Sequence, residues 1–138
     1  MALTAQKIFL NLAVSDLDKT MAFYRAVGFE FNAQFTDQNA ACMIVSEDIF
    51  VMLLVKDFFK TFTGKELADP SVTTEAIVAI SADSREQVDE IADKALAAGG
   101  KPSNPPTDHG FMYVRSFQDL DGHLWEIMYM DQSAIAQE

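Results

Sequence analysis

The chain is poor in cysteine, in basic residues and in long apolar runs, and each shortage removes a class of function. Cys42 is the only cysteine in 138 residues. One thiol can form no internal disulfide and cannot build a thiolate zinc site. Its neighbours, AACMIVS, are apolar, so Cys42 reads as an inert core thiol and not as a nucleophile. Only 10 Lys and Arg oppose 21 Asp and Glu, a formal charge of −11. Such a surface repels phosphate backbones, so nucleic acid is not expected as a partner. No apolar run approaches the ~20 residues of a membrane span, so no membrane partner is expected either. The opening MALTAQKIFLNLAV has neither the basic flank nor the cleavage pattern of a signal peptide, which leads to the expectation of a cytoplasmic protein.

What is present is a core. Apolar residues make up 49% of the chain, too many for disorder and enough for one domain. The acids are dispersed and read as a solvated surface. From Lys7 to Val14 apolar character alternates. Ile8, Leu10, Leu12 and Val14 take one face of a strand, and Lys7, Phe9, Asn11 and Ala13 take the other. Ser15 and Asp16 then open a helix, with Asp18 in its first turn, and Gly28 closes it. Leu17, Met21, Tyr24 and Val27 recur at helical spacing. Short strands are predicted over 29–35, 40–45 and 49–55, separated by turn-forming DQN and SED. A connector over 56–72 carries Phe58, Phe59 and Phe62, which read either as a lid or as an apolar staple holding the segment down.

The second half repeats the first. AIVAISA is a strand, Ser84 and Gln87 form a capping box, and Val88, Ile91, Ala92, Ala95 and Leu96 stripe a helix that ends at Gly99-Gly100. Strands follow over 110–117 and 124–130, joined by QDLDG. A proline-rich segment over 101–106 adds a weak edge strand. The fold class is therefore α+β, with two tandem βαβββ modules of mostly antiparallel, curved sheet around a central cavity. Module one is expected over about 7–56, the connector over about 57–73 and module two over about 74–131, as a single domain.

FLNLAVSDLDKTMAFYRAVGFEF, IVAISADSREQVDEIADKALAAGG and FQDLDGHLWEIM resemble the vicinal oxygen chelate superfamily, which includes glyoxalase I, extradiol dioxygenases and bleomycin-resistance proteins. The resemblance implies four metal-ligand positions on the first and last strands of each module. Anchored on VSD, SAD and DLDG, they fall on Phe9, Met52, Ile77 and Glu126. Phe and Ile carry no lone pair, a Met thioether suits soft metals, and one carboxylate is short of a catalytic site's three ligands. No cofactor is expected at the usual site. A divalent metal remains open through a shifted set of Glu75, His109 and Glu126. His123 is not a partner for Glu126, because their separation puts them on opposite faces of a strand. His109 and His123 otherwise read as turn residues.

The resemblance implies a cavity face with Phe9, Asn11, Phe50, Met52, Ile77, Glu126 and Met128. The strand over 110–117 adds either Tyr113 and Arg115 or the alternate set Met112, Val114 and Ser116. Glu126 then has three readings: a structural partner of Tyr113 or Arg115, a ligand contact, or a general base raised by burial. Two functions stay open, beside a blander interaction protein whose pocket is vestigial. One is a metal-free binder of a small aromatic or amphipathic molecule, similar to bleomycin-resistance proteins. The other is a metal-dependent lyase, isomerase or dioxygenase. A homodimer is expected from the resemblance in either case.

Overall fold

The computed structural model describes residues 1–135. It divides into two compact units, Met1–Leu67 and Ala68–Glu138, and the division falls inside the expected connector. Each unit carries one sheet.

The first unit runs β1 (Ile8–Val14), α1 (Leu17–Val27), β2 (Glu30–Phe31), a 3-10 turn (Ala33–Phe35), β3 (Ala40–Ile44), β4 (Ile49–Val55) and α2 (Lys56–Lys60). Its sheet order is β1-β4-β3-β2, with β1 parallel to β4 and the other pairs antiparallel. The second unit runs β5 (Ile77–Ser81), α3 (Arg85–Ala97), β6 (Lys101–Pro102), β7 (Thr107–Asp108), β8 (Met112–Gln118), β9 (Leu124–Met130) and α4 (Gln132–Ile135). Its order is β5-β9-β8-β6, with β7 beside β8 and only β5–β9 parallel. In each unit the first and last long strands are therefore parallel neighbours, connected through a helix that must cover one face.

That covered face is the core. In the first unit Leu12, Val14, Met43, Val51 and Leu53 are buried, together with Phe23, Tyr24 and Val27 of α1. In the second, Phe117 and Trp125 stack at 6.2 Å, and α3 packs on β8 and β9 with Val88, Ala92 and Ala95 buried. Each buried Val, Leu, Met or Phe side chain among them contributes about 1.5–3 kcal/mol of apolar burial. The caps act as their residues dictate. Asp16 accepts from the Lys19 amide at 3.0 Å, and Gly28 ends α1 at φ 127°. Ser84 accepts from the Gln87 amide at 3.1 Å. The Gln87 side chain accepts from Asp83 N at 2.6 Å, one residue before the capping-box position.

The structure departs from sequence expectation in two places. The strand over 29–35 stops at Phe31, because Asn32 Oδ1 accepts from the Gln34 amide at 3.0 Å and turns the chain. The edge strand over 101–106 is replaced by the short strands β6 and β7, outside the Pro105-Pro106 pair. Phe58 and Phe62 pair edge-on at 5.1 Å, and Phe62 stays exposed.

The β8–β9 turn is the most tightly determined. Asp119 Oδ1 accepts from the amides of Asp121, Gly122 and His123 at 3.0, 3.0 and 2.9 Å. Gly122 sits at φ 100°, and a Cβ there would lie 2.7 Å from the Pro70 carbonyl oxygen. Both strain and a backbone clash oppose any side chain. Gly122→Ala is therefore expected to cost about 2 kcal/mol or more in urea unfolding. Gly64→Ala, where a Cβ meets nothing within 4 Å, should shift stability far less.

Candidate functional site

Register assigns the expected site residues that lie in strands to a face. In the first unit Phe9 aligns with Phe50, Asn11 with Met52 and Met52 with Cys42. Directly opposed residues share a face. All of them lie opposite the buried Leu12, Val51 and Leu53, on the face α1 does not cover. Phe9 and Phe50 stack at 5.2 Å, and Phe9 remains 54% exposed. The 3-10 turn brings Phe35 over this face, tied down by Thr36 Oγ1, which accepts from the Cys42 amide at 3.1 Å. The result is a cavity of about 600 Å³ walled by Phe9, Phe35, Phe50 and Met52, with the buried Cys42 lining it and Lys7 and Asn32 as polar members. Burial pushes the Cys42 thiol up, so it stays protonated and unreactive. Asn11 shares the face, but its amide is turned to its own strand, donating to the Phe9 carbonyl at 3.3 Å.

In the second unit Ile77, Glu126 and Met128 share the uncovered face, since Ala79 aligns with Glu126 and Ser81 with Met128. Met128 also lines a separate cavity of about 570 Å³ with Ser81, Asp83, Met130 and Asp131. Glu126 is half-buried, opposite Ser116. Among the described residues it has no ion-pair or hydrogen-bond partner.

Tyr113 and Arg115 correct one expectation. They align with Tyr129 and Ile127, so they lie on the helix-covered face, and Met112, Val114 and Ser116 are the set that accompanies Glu126. Tyr113 donates to Asp89 at 2.6 Å, and Arg115 pairs with Asp89 at 3.1 Å and Asp93 at 2.8 Å, both on α3. The structural pairing of Glu126 with these residues is therefore absent, and neither residue belongs to the uncovered face. The sequence signal was available: Asp89 and Asp93 are spaced i, i+4 on α3, facing an Arg of the strand it covers.

The shifted metal set is corrected as well. Glu75 precedes β5, and its carboxylate lies 2.7 Å from His123 Nδ1. His109 stacks on Phe111 in an exposed turn. Glu75, His109 and Glu126 do not gather. Among the described residues, the His/Cys/Asp/Glu group close enough to share an ion is Asp119, Asp121 and His123, with ligand atoms within 4.8 Å of one another. His123 is not a simple turn residue, since it is only 4% exposed. Strand parity hides that burial from the sequence, because the Glu75 partner is 48 residues away.

Comparison with known proteins fits this geometry. Residues 8–127 match the Glyoxalase/Bleomycin resistance protein/Dioxygenase superfamily. The chain belongs to that superfamily. Members of it bind small-molecule substrates, typically with a divalent metal. Among solved structures, the chain is similar to a hypothetical protein, SA1046, from S. aureus, with 28% identity, a TM-score of 0.76, and 91% of this chain and 95% of that one covered. A glyoxalase-related enzyme from Fulvimarina pelagi shares 18% identity at a TM-score of 0.75, covering 91% and 88%. The fosfomycin resistance protein FosX from Listeria monocytogenes shares 21% at 0.66, covering 92% and 94%. The last two likenesses bear on the fold alone. No curated protein matches the chain. No helix among the described residues is long and apolar enough to cross a membrane.

The four positions to which the resemblance assigns the superfamily's metal ligands do not fit a divalent ion. Phe9, Met52 and Ile77 offer no hard or borderline donor, which leaves Glu126 alone.

Two measurements check the electrostatics of the second unit. Hydrogen bonding from Arg85 and from the Gly110 amide holds the Asp108 carboxyl down to about 2, from 3.8. Tyr113, then Arg115, lowers Asp89. A carboxyl lowered by folding stabilises at pH above its unfolded value and loses that contribution as pH falls through the folded one. The urea midpoint should therefore drop as pH falls from 3.8 toward about 2, and Arg85→Met should shrink that drop. Separately, His123→Ala should cost roughly 2–3 kcal/mol in urea unfolding, by opening a cavity and orphaning Glu75. Glu75→Ala should cost less, because its side chain is 28% exposed.

Proposed function

We propose that this protein binds a small, flat, apolar molecule without a catalytic metal, in the manner suggested by the bleomycin-resistance branch of its superfamily. The observation that carries this reading is the aromatic cavity of about 600 Å³ on the uncovered face of β1 and β4. Its size lies in the usual range for small-molecule sites, and its lining is mostly apolar. The stacked Phe9 and Phe50 supply a platform for a planar ring, and Met52 adapts to its outline. The donor-poor metal positions support binding over metal catalysis. Ile77, Glu126 and Met128 belong to this proposal as a second group of ligand contacts, on the other unit's uncovered face. Glu126 contacts ligand and is not assigned a proton-transfer step. The protein acts as a cytoplasmic homodimer in this reading, a point that size-exclusion chromatography with light scattering tests.

A metal-dependent lyase, isomerase or dioxygenase is the second reading, and the Asp119, Asp121 and His123 group favours it. The local bonding weighs against it. Asp119 Oδ1 already accepts three backbone amides, and His123 Nδ1 is engaged with Glu75. An ion held by a histidine only 4% exposed would also sit away from substrate.

Thermal-shift titration with neutral aromatic compounds separates these readings. Stabilisation that saturates, and that Phe9→Ala weakens about tenfold, is expected from loss of the stacking surface. Metal analysis of protein purified without chelators should find well below one ion per chain. Stoichiometric metal, lost on Asp121→Asn, would transfer support to the enzyme reading.

A further inference from the structure

The aromatic cavity offers a ligand hydrogen-bond donors from Lys7 and Asn32. We infer that the cavity selects flat apolar molecules ending in a carboxylate or comparable oxyanion, with Lys7 and Asn32 as its recognition groups. The inference rests on the small-molecule reading above and specifies its ligand class.

Asn32 is oriented by its own turn. Its Oδ1 accepts from the Gln34 amide at 3.0 Å. An N–H requires an oxygen opposite it, so the amide cannot be flipped. The two Nδ2–H donors of Asn32 take no part in that bond and are available to a ligand. Lys7 Nζ donates to Asp48 Oδ1 at 3.1 Å and to the Glu47 carbonyl at 3.4 Å, which uses two of its three donors. The same nitrogen stands over the Phe50 ring, 5.5 Å from its centroid. No carboxylate lines the cavity. A planar ring laid on Phe9 and Phe50 with its acid group toward Lys7 meets an ammonium and an amide N–H₂ group, both of which donate.

The chain's formal charge of −11 argues for the opposite sign of ligand, and distance decides between the two. Dispersed surface acids are screened over about 8–10 Å at ordinary salt, whereas Lys7 acts at hydrogen-bonding range. A cation stacked on Phe50 would lie beside the Lys7 ammonium, which already occupies that ring's cation-binding position. Asp48 is the competitor for Lys7. That pair is exposed on both sides, 44% and 46%, and exposed pairs exchange partners at little cost.

The test uses one ring with three end groups: 2-naphthoate, 2-naphthalenemethanol and 2-naphthylmethylammonium, titrated calorimetrically. Naphthoate should bind about tenfold tighter than the alcohol, with the ammonium weakest. Lys7→Met should bring naphthoate down to the level of the alcohol, and Asp48→Asn should tighten naphthoate. Thermal unfolding of both variants confirms that these exposed changes leave the fold intact. Equal or tighter binding of the alcohol or the ammonium overturns the inference while the small-molecule reading survives. A carboxylate preference that persists in Lys7→Met also overturns it. Binding of none of the three overturns both. Naphthoate affinity that weakens as protein concentration rises, with matching dimer formation in light scattering, assigns the face to a second copy and overturns the inference.

Discussion

Each sheet in this protein is covered by a helix on one face, and strand alternation makes every other side chain answer to that fact. A strand residue is either packed against the helix or presented on the other side, with nothing between. In the first unit, Leu12, Val14, Val51 and Leu53 are spent on the core, which leaves Phe9, Phe50 and Met52 on the free face. In the second, Trp125 and Ile127 are core, which leaves Glu126 and Met128 free. Apolar residues on a free face are not required for folding, and their cost in solubility calls for a function. The 3-10 turn that sets Phe35 over the first of these faces converts an apolar surface into an open-mouthed cavity.

The segment DLDGHLWE divides its work in the same way. Asp119 is occupied by three turn amides, Gly122 lets the Pro70 backbone approach, and His123 is buried against Glu75. These residues tie the chain entering β5 to the β8–β9 turn, a structural task. Glu126 follows three residues after His123 on the opposite parity and takes no part in it. The local residues that look most chemical in the sequence thus hold the fold, and Glu126 has no partner among the described residues.

Much of this was legible beforehand. Period-two alternation separated Phe9 and Asn11 from Leu12 and Val14, and it separated Glu126 from His123, because a strand's side-chain direction is a local property. Helix starts at Asp16 and Ser84 were legible for the same reason. Four features were not. The early end of β2 depends on Asn32 bonding its own turn in preference to the ladder. The face of Tyr113 and Arg115 depends on the β8–β9 register, which a turn sets and a one-residue slip inverts. The Glu75–His123 pair spans 48 residues, and no spacing rule reaches that far. Phe35 over the cavity belongs with these, since its role follows from the 3-10 turn.

The central claim is that the free face of β1 and β4 is a binding surface and not a remnant of a metal site. Methionine methyl NMR tests it directly, because Met52 lines that cavity, Met43 is fully buried on the covered face, and Met128 lies on the other unit's free face. On titration with an aromatic ligand, the Met52 methyl should show a ring-current shift that saturates, while Met43 stays fixed. Shifts confined to Met128, or a Met52 signal unmoved by every aromatic compound that stabilises the protein, would contradict the claim.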